Sequence, residues 1–496
     1  MNRQLDRVYH GLGWCAAVLA CAAAALLWCV SLRYTASFDP ASFEERLTLY
    51  PVGMRRTLPC CLLLLAMLTA ADGLLRRRRS LMWPCSAAVA VLGAAYVLSL
   101  HGQPIDDQAR VWEMAVALSS GDFSAIDPDY FVAYPYQVNM AQLLEPLARL
   151  FGHDPYPAFG LMNAVCAGSC VPPLCRIAAR LCGRGAENLC GLLCVGFLPL
   201  WLTAAFLYGT LAATACALWA VWAAMSLCDG GSRRLWLLVA LLFPASLLYS
   251  GSLIFAVAVA LVLLLDALRG RPLRAVAALV LLAVCMKSNQ VGQMVFCWRT
   301  GMDFGPGIPK SAWVYMGLTA TDTNSAAGGF NSYPKLVFWG NQGNAQATAV
   351  AVREDLRTWW QGFVSAPQAS WHFFREKICT EWLDPWFTSL TSTYTAEAAP
   401  GAFASLFCGG ALLDPSSSML RYLLRTVYAA AAAGTLCAAR RYRGAVWALL
   451  PTICFLGSFL FQIVWENHSR YCMPYFLCLL PVAAAALGKA AEKSFP

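Results

Sequence analysis

Apolar stretches close to the ~20 residues needed to cross a bilayer recur along almost the whole chain, and no other feature limits the fold as sharply. They fall at 9–32, 58–75, 81–100, 157–178, 188–207, 209–228, 235–250, 252–267, 275–298, 419–438, 445–465 and 471–488. The break between the seventh and eighth runs rests on Gly251. Lipid offers no hydrogen bonds, so runs of this length must satisfy their own backbone as helices. The pattern predicts an all-α polytopic membrane protein of about twelve transmembrane helices. Composition agrees: 59% of residues are hydrophobic and 13% charged, where a soluble domain carries about 25% charge. Val18-Leu19-Ala20-Cys21 looks like a lipoprotein cleavage site, but the apolar run continues to Ser31, so an uncleaved anchor is expected.

Basic residues set the expected orientation. They gather at Arg3/Arg7, Arg76–Arg79, Arg176/Arg180/Arg184, Arg233/Arg234, Arg269/Arg271/Arg274, Arg440/Arg441/Arg443 and Lys489/Lys493, in every second loop. Positive-inside bias then puts both termini in the cytoplasm. One outer loop, 33–57, runs against the pattern with Arg33, Arg46, Arg55 and Arg56, partly offset by Asp39, Glu44 and Glu45. The net charge of +9 is thereby explained without a nucleic-acid partner. Most of the 22 cysteines lie in apolar runs, Cys60, Cys61, Cys166, Cys190 and Cys194 among them, where cysteine acts as a small hydrophobe. Cys379 and Cys408 fall in an expected outer segment and are candidates for a disulfide.

The expected inside loops are short, while two outer segments are long, 101–156 and 299–418. They divide the chain into an N-terminal membrane module (1–298, carrying the loop 101–156), an extracytoplasmic segment (299–418) and a C-terminal membrane module (419–496). Pro104 and Asp106-Asp107 open a helix of period 3.6 with Val111, Met114, Ala115 and Leu118 on one face, stopping near Ser120-Gly121. A second amphipathic stretch, Val138 to Phe151, is expected along the membrane surface. The two aspartates admit two roles, helix capping or a base at the membrane edge. Neighbouring helical residues diverge by about 100°, so at most one can face a given substrate atom. Lys287 lies about 20 Å, at ~1.5 Å per residue, from the inner end of its run. It either snorkels outward past Ser288-Asn289-Gln290 or meets a buried anion. The tryptophans of "TWWQGFVSAPQASWHFF" suit an interfacial anchor, and Gly317, Gly328 and Gly329 suggest tight turns in a mobile loop. Asp303, Asp322 and Asp384 are possible metal ligands without a defining spacing.

An Asp-Asp at the outer end of an early run, then "GDFS" and "YFVAYPYQ", resembles the first outer loop of GT-C superfamily glycosyltransferases, bacterial mannosyltransferase-like ones in particular. Further likenesses follow in order: "LFGHDPYPAFGLMNA", "WVYMGL" at 313–318, "GGFN" at 328–331, "EKICTEWLDPWF" at 376–387 and "ENHSRYCMPY" at 466–475. In many relatives the acidic loop follows the first span; here it follows the third. The resemblance implies transfer of a sugar, with inversion, from a polyprenyl-phosphate donor to an extracytoplasmic glycan, lipid or protein. Asp106 or Asp107 would be the catalytic base. The donor phosphate would meet Arg470, Lys287 or His468, with the His372/Arg375/Lys377 group as a further candidate. Glu466, Tyr471, Tyr134, Gln137, Trp382 and Asp384 would support them. Glu466 and Arg470 stand four apart and would pair on a helix. A divalent cation is a possible cofactor. Two other classes compete: a transporter or flippase of lipid-linked saccharides, and a polymer ligase or polymerase. Against transport, no internal repeat and no matched pair of broken helices is visible.

Overall fold

The computed structural model describes residues 3–40, 45–152, 156–227, 235–320, 326–394, 399–441 and 446–488. Glu44, Asp322, Arg233, Arg234, Arg443, Lys489, Lys493 and the side chain of Arg3 lie outside the described residues.

The described residues are mostly helical. Helix α1 (Arg3–Ser31) leads into a two-stranded antiparallel hairpin, β1 (Tyr34–Ser37) and β2 (Thr48–Pro51), in register from Tyr34–Pro51 to Ser37–Thr48. Helices α2 (Met54–Leu75) and α3 (Met82–Leu100) follow, then the first long loop with α4 (Asp106–Ser120), α5 (Pro128–Ala133) and α6 (Val138–Phe151). Next come α7 (Tyr156–Cys182), α8 (Arg184–Gly196), α9 (Pro199–Leu202), α10 (Thr210–Leu227), α11 (Leu235–Leu248), α12 (Leu253–Ala267), α13 (Pro272–Met286) and α14 (Ser288–Thr300). The second long segment holds α15 (Lys310–Gly317), α16 (Tyr333–Gly340), α17 (Ala345–Ser365), α18 (Pro367–Trp382) and α19 (Ala402–Ser405). It ends in α20 (Leu413–Arg441), α21 (Leu450–Gln462), α22 (Met473–Leu477) and α23 (Leu479–Leu487).

Among the described residues, seven helices are long and apolar enough to cross a membrane, or nine if each of two bent pairs counts as one. The bent pairs are 184–205, bending by 57°, and 272–300, bending by 46°. Three more apolar runs form shorter helices, Leu235–Leu248, Val446–Gln462 and Met473–Leu487. The sequence shows no matched pair of broken helices; the structure bends two spans, at places that are not equivalent along the chain. The first bend opens at Phe197, whose backbone leaves the helical region (φ −86°, ψ 83°) two residues before Pro199; the second is centred on Lys287, between α13 and α14.

Small residues set the closest packing. Gly160, Ala164 and Gly168 repeat every four residues along one face of α7 and lie against α3. A methyl group on Gly160 would strike Val97, and one on Gly168 the Ser86 carbonyl. Such stripes let helix backbones approach closely where hydrophobic drive is weak. The described arginines of the basic loops gather at one end of the bundle. There Arg269 lies over Tyr9, Arg180 over Trp447 and Arg176 over Trp222, while Asp266 pairs with Arg274. The two long segments and the hairpin gather at the other end.

Helix α4 ends at Ser120 with Gly121 in the left-handed region, and Val111, Met114, Ala115 and Leu118 are buried, as the spacing predicts. Helix α6 spans Val138–Phe151 as expected. The suggested disulfide is not formed: Cys379 and Cys408 are both free and buried. Cys408 faces the Tyr96 hydroxyl at 3.8 Å instead.

Candidate functional site

At the end opposite the arginines, five distant segments bring polar side chains into one recess. The first turn of α4 is held there by Gln108. Its buried amide donates to the Ser392 carbonyl (3.4 Å) and accepts from the Leu207 amide (2.8 Å). Ile105 caps α4 with extended backbone and no side-chain hydrogen bond, so neither aspartate serves as the capping side chain. Of the two, Asp107 turns into the recess. The Tyr130 hydroxyl and the charges of Lys335 and Arg470 act on its carboxyl to favour the ionised form. Burial outweighs these and raises the Asp107 carboxyl above the usual carboxylate range.

Phenols form the wall. Gln137, buried, donates from Nε2 to Tyr130 (3.3 Å) and to Tyr208. Tyr130 and Tyr134 pack with ring centres 5.2 Å apart, and Tyr134 stands 6.4 Å from Tyr136. Tyr208 comes from the segment between α9 and α10 and stacks on Phe206 at 5.1 Å. Burial raises the phenols of Tyr130, Tyr134, Tyr136 and Tyr208 above their ordinary value, and the Asp107 charge adds to each shift. All four therefore stay protonated at neutral pH, as donors.

The opposite wall is the segment between α21 and α22. Residues 466–468 are not helical, so the expected Glu466–Arg470 pair does not form. Arg470 turns to the hairpin. Its Nη1 lies 3.4 Å from Glu45 Oε1 and 3.0 Å from Ser392 Oγ, with the guanidinium 4.6 Å over the Phe206 ring. His468 Nε2 reaches the other oxygen of Glu45 at 3.1 Å, and Ser392 donates to Glu45 at 2.6 Å. Burial alone would raise the Glu45 carboxyl; the His468 and Arg470 charges and these hydrogen bonds hold it well below the usual range. Burial lowers His468. Glu466 accepts from Tyr471 (3.3 Å), and burial pushes its carboxyl up to about 7 against the Arg470 charge. Beneath Arg470 lies a cavity of about 240 Å³, counting its opening to solvent, lined by Thr203, Phe206, Thr388, Ser392 and Met473 among others.

Other expected site residues support this wall or lie apart from it. Asp384 is buried and accepts from Ser469 Oγ (2.7 Å) and the amides of Trp386 (3.0 Å) and Thr388 (2.7 Å). It fixes the 384–392 turn that presents Ser392, and burial pushes its carboxyl up to about 6. Trp382 is buried against Phe455 and Phe459, a packing position. Lys377 is buried, and its ammonium donates to the Gly317 and Trp465 carbonyls. Asn467 donates to the Ala327 carbonyl (2.8 Å) and to Thr380 (2.7 Å), and its amide to the Gly328 carbonyl (2.7 Å). Lys377 and Asn467 together bind the 313–318, 328–331, 376–387 and 466–475 motifs into one unit. Gly317 and Gly328 serve close approach there: methyl groups would strike the Trp465 carbonyl and the Gly317 carbonyl. Gly328 also has φ +72°, a region that favours glycine.

Lys287 is exposed at the α13–α14 bend and makes no ion pair among the described residues. Its neighbour Asn289 instead ties α6 to the α11–α12 turn, through Asn139 (3.1 Å) and Ser250 (3.0 Å). Arg375 lies over Tyr34, and His372 is exposed. Asp303 accepts from the Gly305 amide, closing a turn. Among the described residues no group of three or more His, Cys, Asp or Glu could hold a metal ion.

Glu45, Ser392, Tyr208, Tyr130 and Lys335 are absent from the set that the sequence suggests. Tyr208 carries a signal, a lone phenol between two apolar runs. Glu45 carries another, an acid in the loop that breaks the charge pattern. No family model, curated protein or solved structure matches the chain.

Proposed function

We propose that the chain is a membrane glycosyltransferase, resembling the GT-C superfamily, that moves a sugar from a polyprenyl-phosphate donor to an acceptor hydroxyl on the extracytoplasmic face. The observation that carries this reading is the meeting of Asp107 and Arg470, a carboxylate and a guanidinium, in one recess walled by phenol donors. Asp107 takes the proton from the acceptor hydroxyl. A carboxyl raised above the usual range is a stronger base for that task. The freed oxygen forms a bond to the anomeric carbon as the bond from that carbon to the phosphate oxygen breaks on the opposite face, inverting the centre. The path is oxocarbenium-like, as in inverting glycoside hydrolysis. The departing phosphate carries the charge to Arg470, whose planar fork suits two phosphate oxygens. The phenols and Gln137 orient sugar hydroxyls. Twelve crossings, with both termini cytoplasmic and the recess outside, complete the proposal.

A transport function draws support from the two bent helices. In a twelve-span chain they would be the fifth and the ninth, which do not correspond in two six-span halves, so the repeat symmetry of transporters does not favour it.

The test is purified protein assayed with a panel of polyprenyl-phosphate sugars, with and without a chelator. Transfer by the wild type, abolished in Asp107→Asn and impaired in Arg470→Lys, is the expected result. Arg470→Lys keeps the charge but not the bidentate geometry, so an unchanged half-saturation for donor would remove Arg470 from the phosphate. Transbilayer movement of the donor without transfer would establish transport instead.

A further inference from the structure

Among the described residues, the recess holds one cation that the transfer chemistry leaves unused. Lys335, in the first turn of α16, stands with Nζ 5.5 Å from the centre of the Tyr134 ring, and its charge reaches Asp107. It is exposed, and among the described residues it makes no ion pair and no side-chain hydrogen bond. Arg470 differs, being met by Glu45, and so does Lys377, buried on two carbonyls. From Tyr134 a row of rings runs outward. Trp313 lies 5.9 Å away, Trp465 lies 6.5 Å beyond it and within 7° of parallel, and Phe461 follows at 5.0 Å. Trp313 and Trp465 are half-buried and Phe461 is exposed, so part of each ring reaches the surface although Trp465 stacks between its two neighbours. Aromatic faces take the C–H faces of pyranose rings, and an ammonium at the end of such a row favours a negative substituent. Lysine is a point charge without a fixed fork, so it receives a carboxylate or a phosphate alike.

We propose that Lys335 and the Tyr134–Trp313–Trp465 row form a saccharide subsite for an acidic sugar, one bearing a carboxylate or a phosphate. The subsite adjoins the Asp107 side of the recess, which makes the acidic sugar part of the acceptor. Only that assignment to the acceptor rests on the proposed transfer reaction; the binding itself does not.

The experiment uses the full chain purified in detergent. Tryptophan fluorescence is titrated with oligogalacturonate, a glycerol-phosphate oligomer and a neutral maltooligosaccharide of matched length. At least one acidic oligomer is expected to bind tenfold or more tighter than the neutral one, with a margin that shrinks as salt is raised. Whichever acid binds identifies the anionic group. Lys335→Gln should remove the margin while leaving neutral binding unchanged, and Lys335→Arg should keep it. Lys335 is exposed, so both variants should fold as the wild type does. Equal affinity for acidic and neutral oligomers, a margin that survives Lys335→Gln, or no binding at all would overturn the proposal. Acid-selective binding in a protein that transfers no sugar from any polyprenyl phosphate would leave the subsite standing and remove the transferase.

Discussion

Asp107→Asn removes the proposed proton acceptor while keeping the shape of the side chain and its place in the first turn of α4. Loss of a general base costs roughly 10²–10⁴-fold in rate, so transfer should fall by that much with insertion and yield unchanged. Asp106→Asn should remain within a few-fold of wild type, because the groups of the recess converge on Asp107. Equal loss in both variants would show that the pair serves the helix and not the reaction. Glu466 gives a second prediction, in pH. Its folded carboxyl sits at about 7, above the ordinary 4.5, so the folded state binds more protons than the unfolded one between those values. Its contribution to stability is therefore fully present below about pH 4.5 and is lost as pH rises to 7, at up to about 1.4 kcal/mol per pH unit. Thermal melts of Glu466→Gln should lack this slope, and a difference between wild type and variant that does not change from pH 4.5 to 7 would contradict the burial. The choice between Asp106 and Asp107 was not legible in the sequence. It depends on the rotation of α4, which Gln108 sets by bonds to residues far along the chain.

Elements were easier to read than their partners. Helix α4 and helix α6 follow from local periodicity and end where Gly121 and Gly152 permit. The hairpin was hidden because its importance is not local: strands of four residues carry little pattern, and Glu45 gains meaning only beside Ser392, His468 and Arg470. The same holds for Arg470, whose spacing from Glu466 suggests a helical pair that the extended 466–468 segment does not allow. Glu45→Gln should loosen Arg470 and His468 together. Charge-assisted hydrogen bonds are worth about 1.5–3 kcal/mol, so transfer should drop about tenfold or more, with less change in overall melting temperature. A wild-type rate would leave the hairpin as a cover only. At α15, Gly317→Ala forces a methyl group into the Trp465 carbonyl. Backbone cannot yield as a flexible side chain does, so about 1–3 kcal/mol of stability should be lost, read as a lower melting temperature and a lower transfer rate. An unchanged melting temperature would mean that the Gly317–Trp465 contact is not close.

For the whole molecule, the apolar runs and the arginines separate the two ends of the bundle, and the proposed orientation follows from them. With reactive native cysteines removed, Ser124→Cys and Ser332→Cys should react with an impermeant thiol reagent applied from outside. Arg78→Cys should react only after the membrane is permeabilised. The reverse pattern would turn the molecule over and take the proposed donor out of reach. The recess itself is drawn from positions 45, 107, 137, 208, 392 and 470, nearly the full span of the described chain. A ribosome delivers those positions in order, and helices enter a membrane as they emerge. Arg470 is the last to arrive, so for most of the time taken to make the protein Glu45 lacks the guanidinium it meets in the finished fold, and Asp107 has Tyr130 beside it but not the Arg470 charge. If the proposed transfer is the function, the recess is complete for it only when the final helices close the bundle, and a half-made molecule is silent toward the lipids around it.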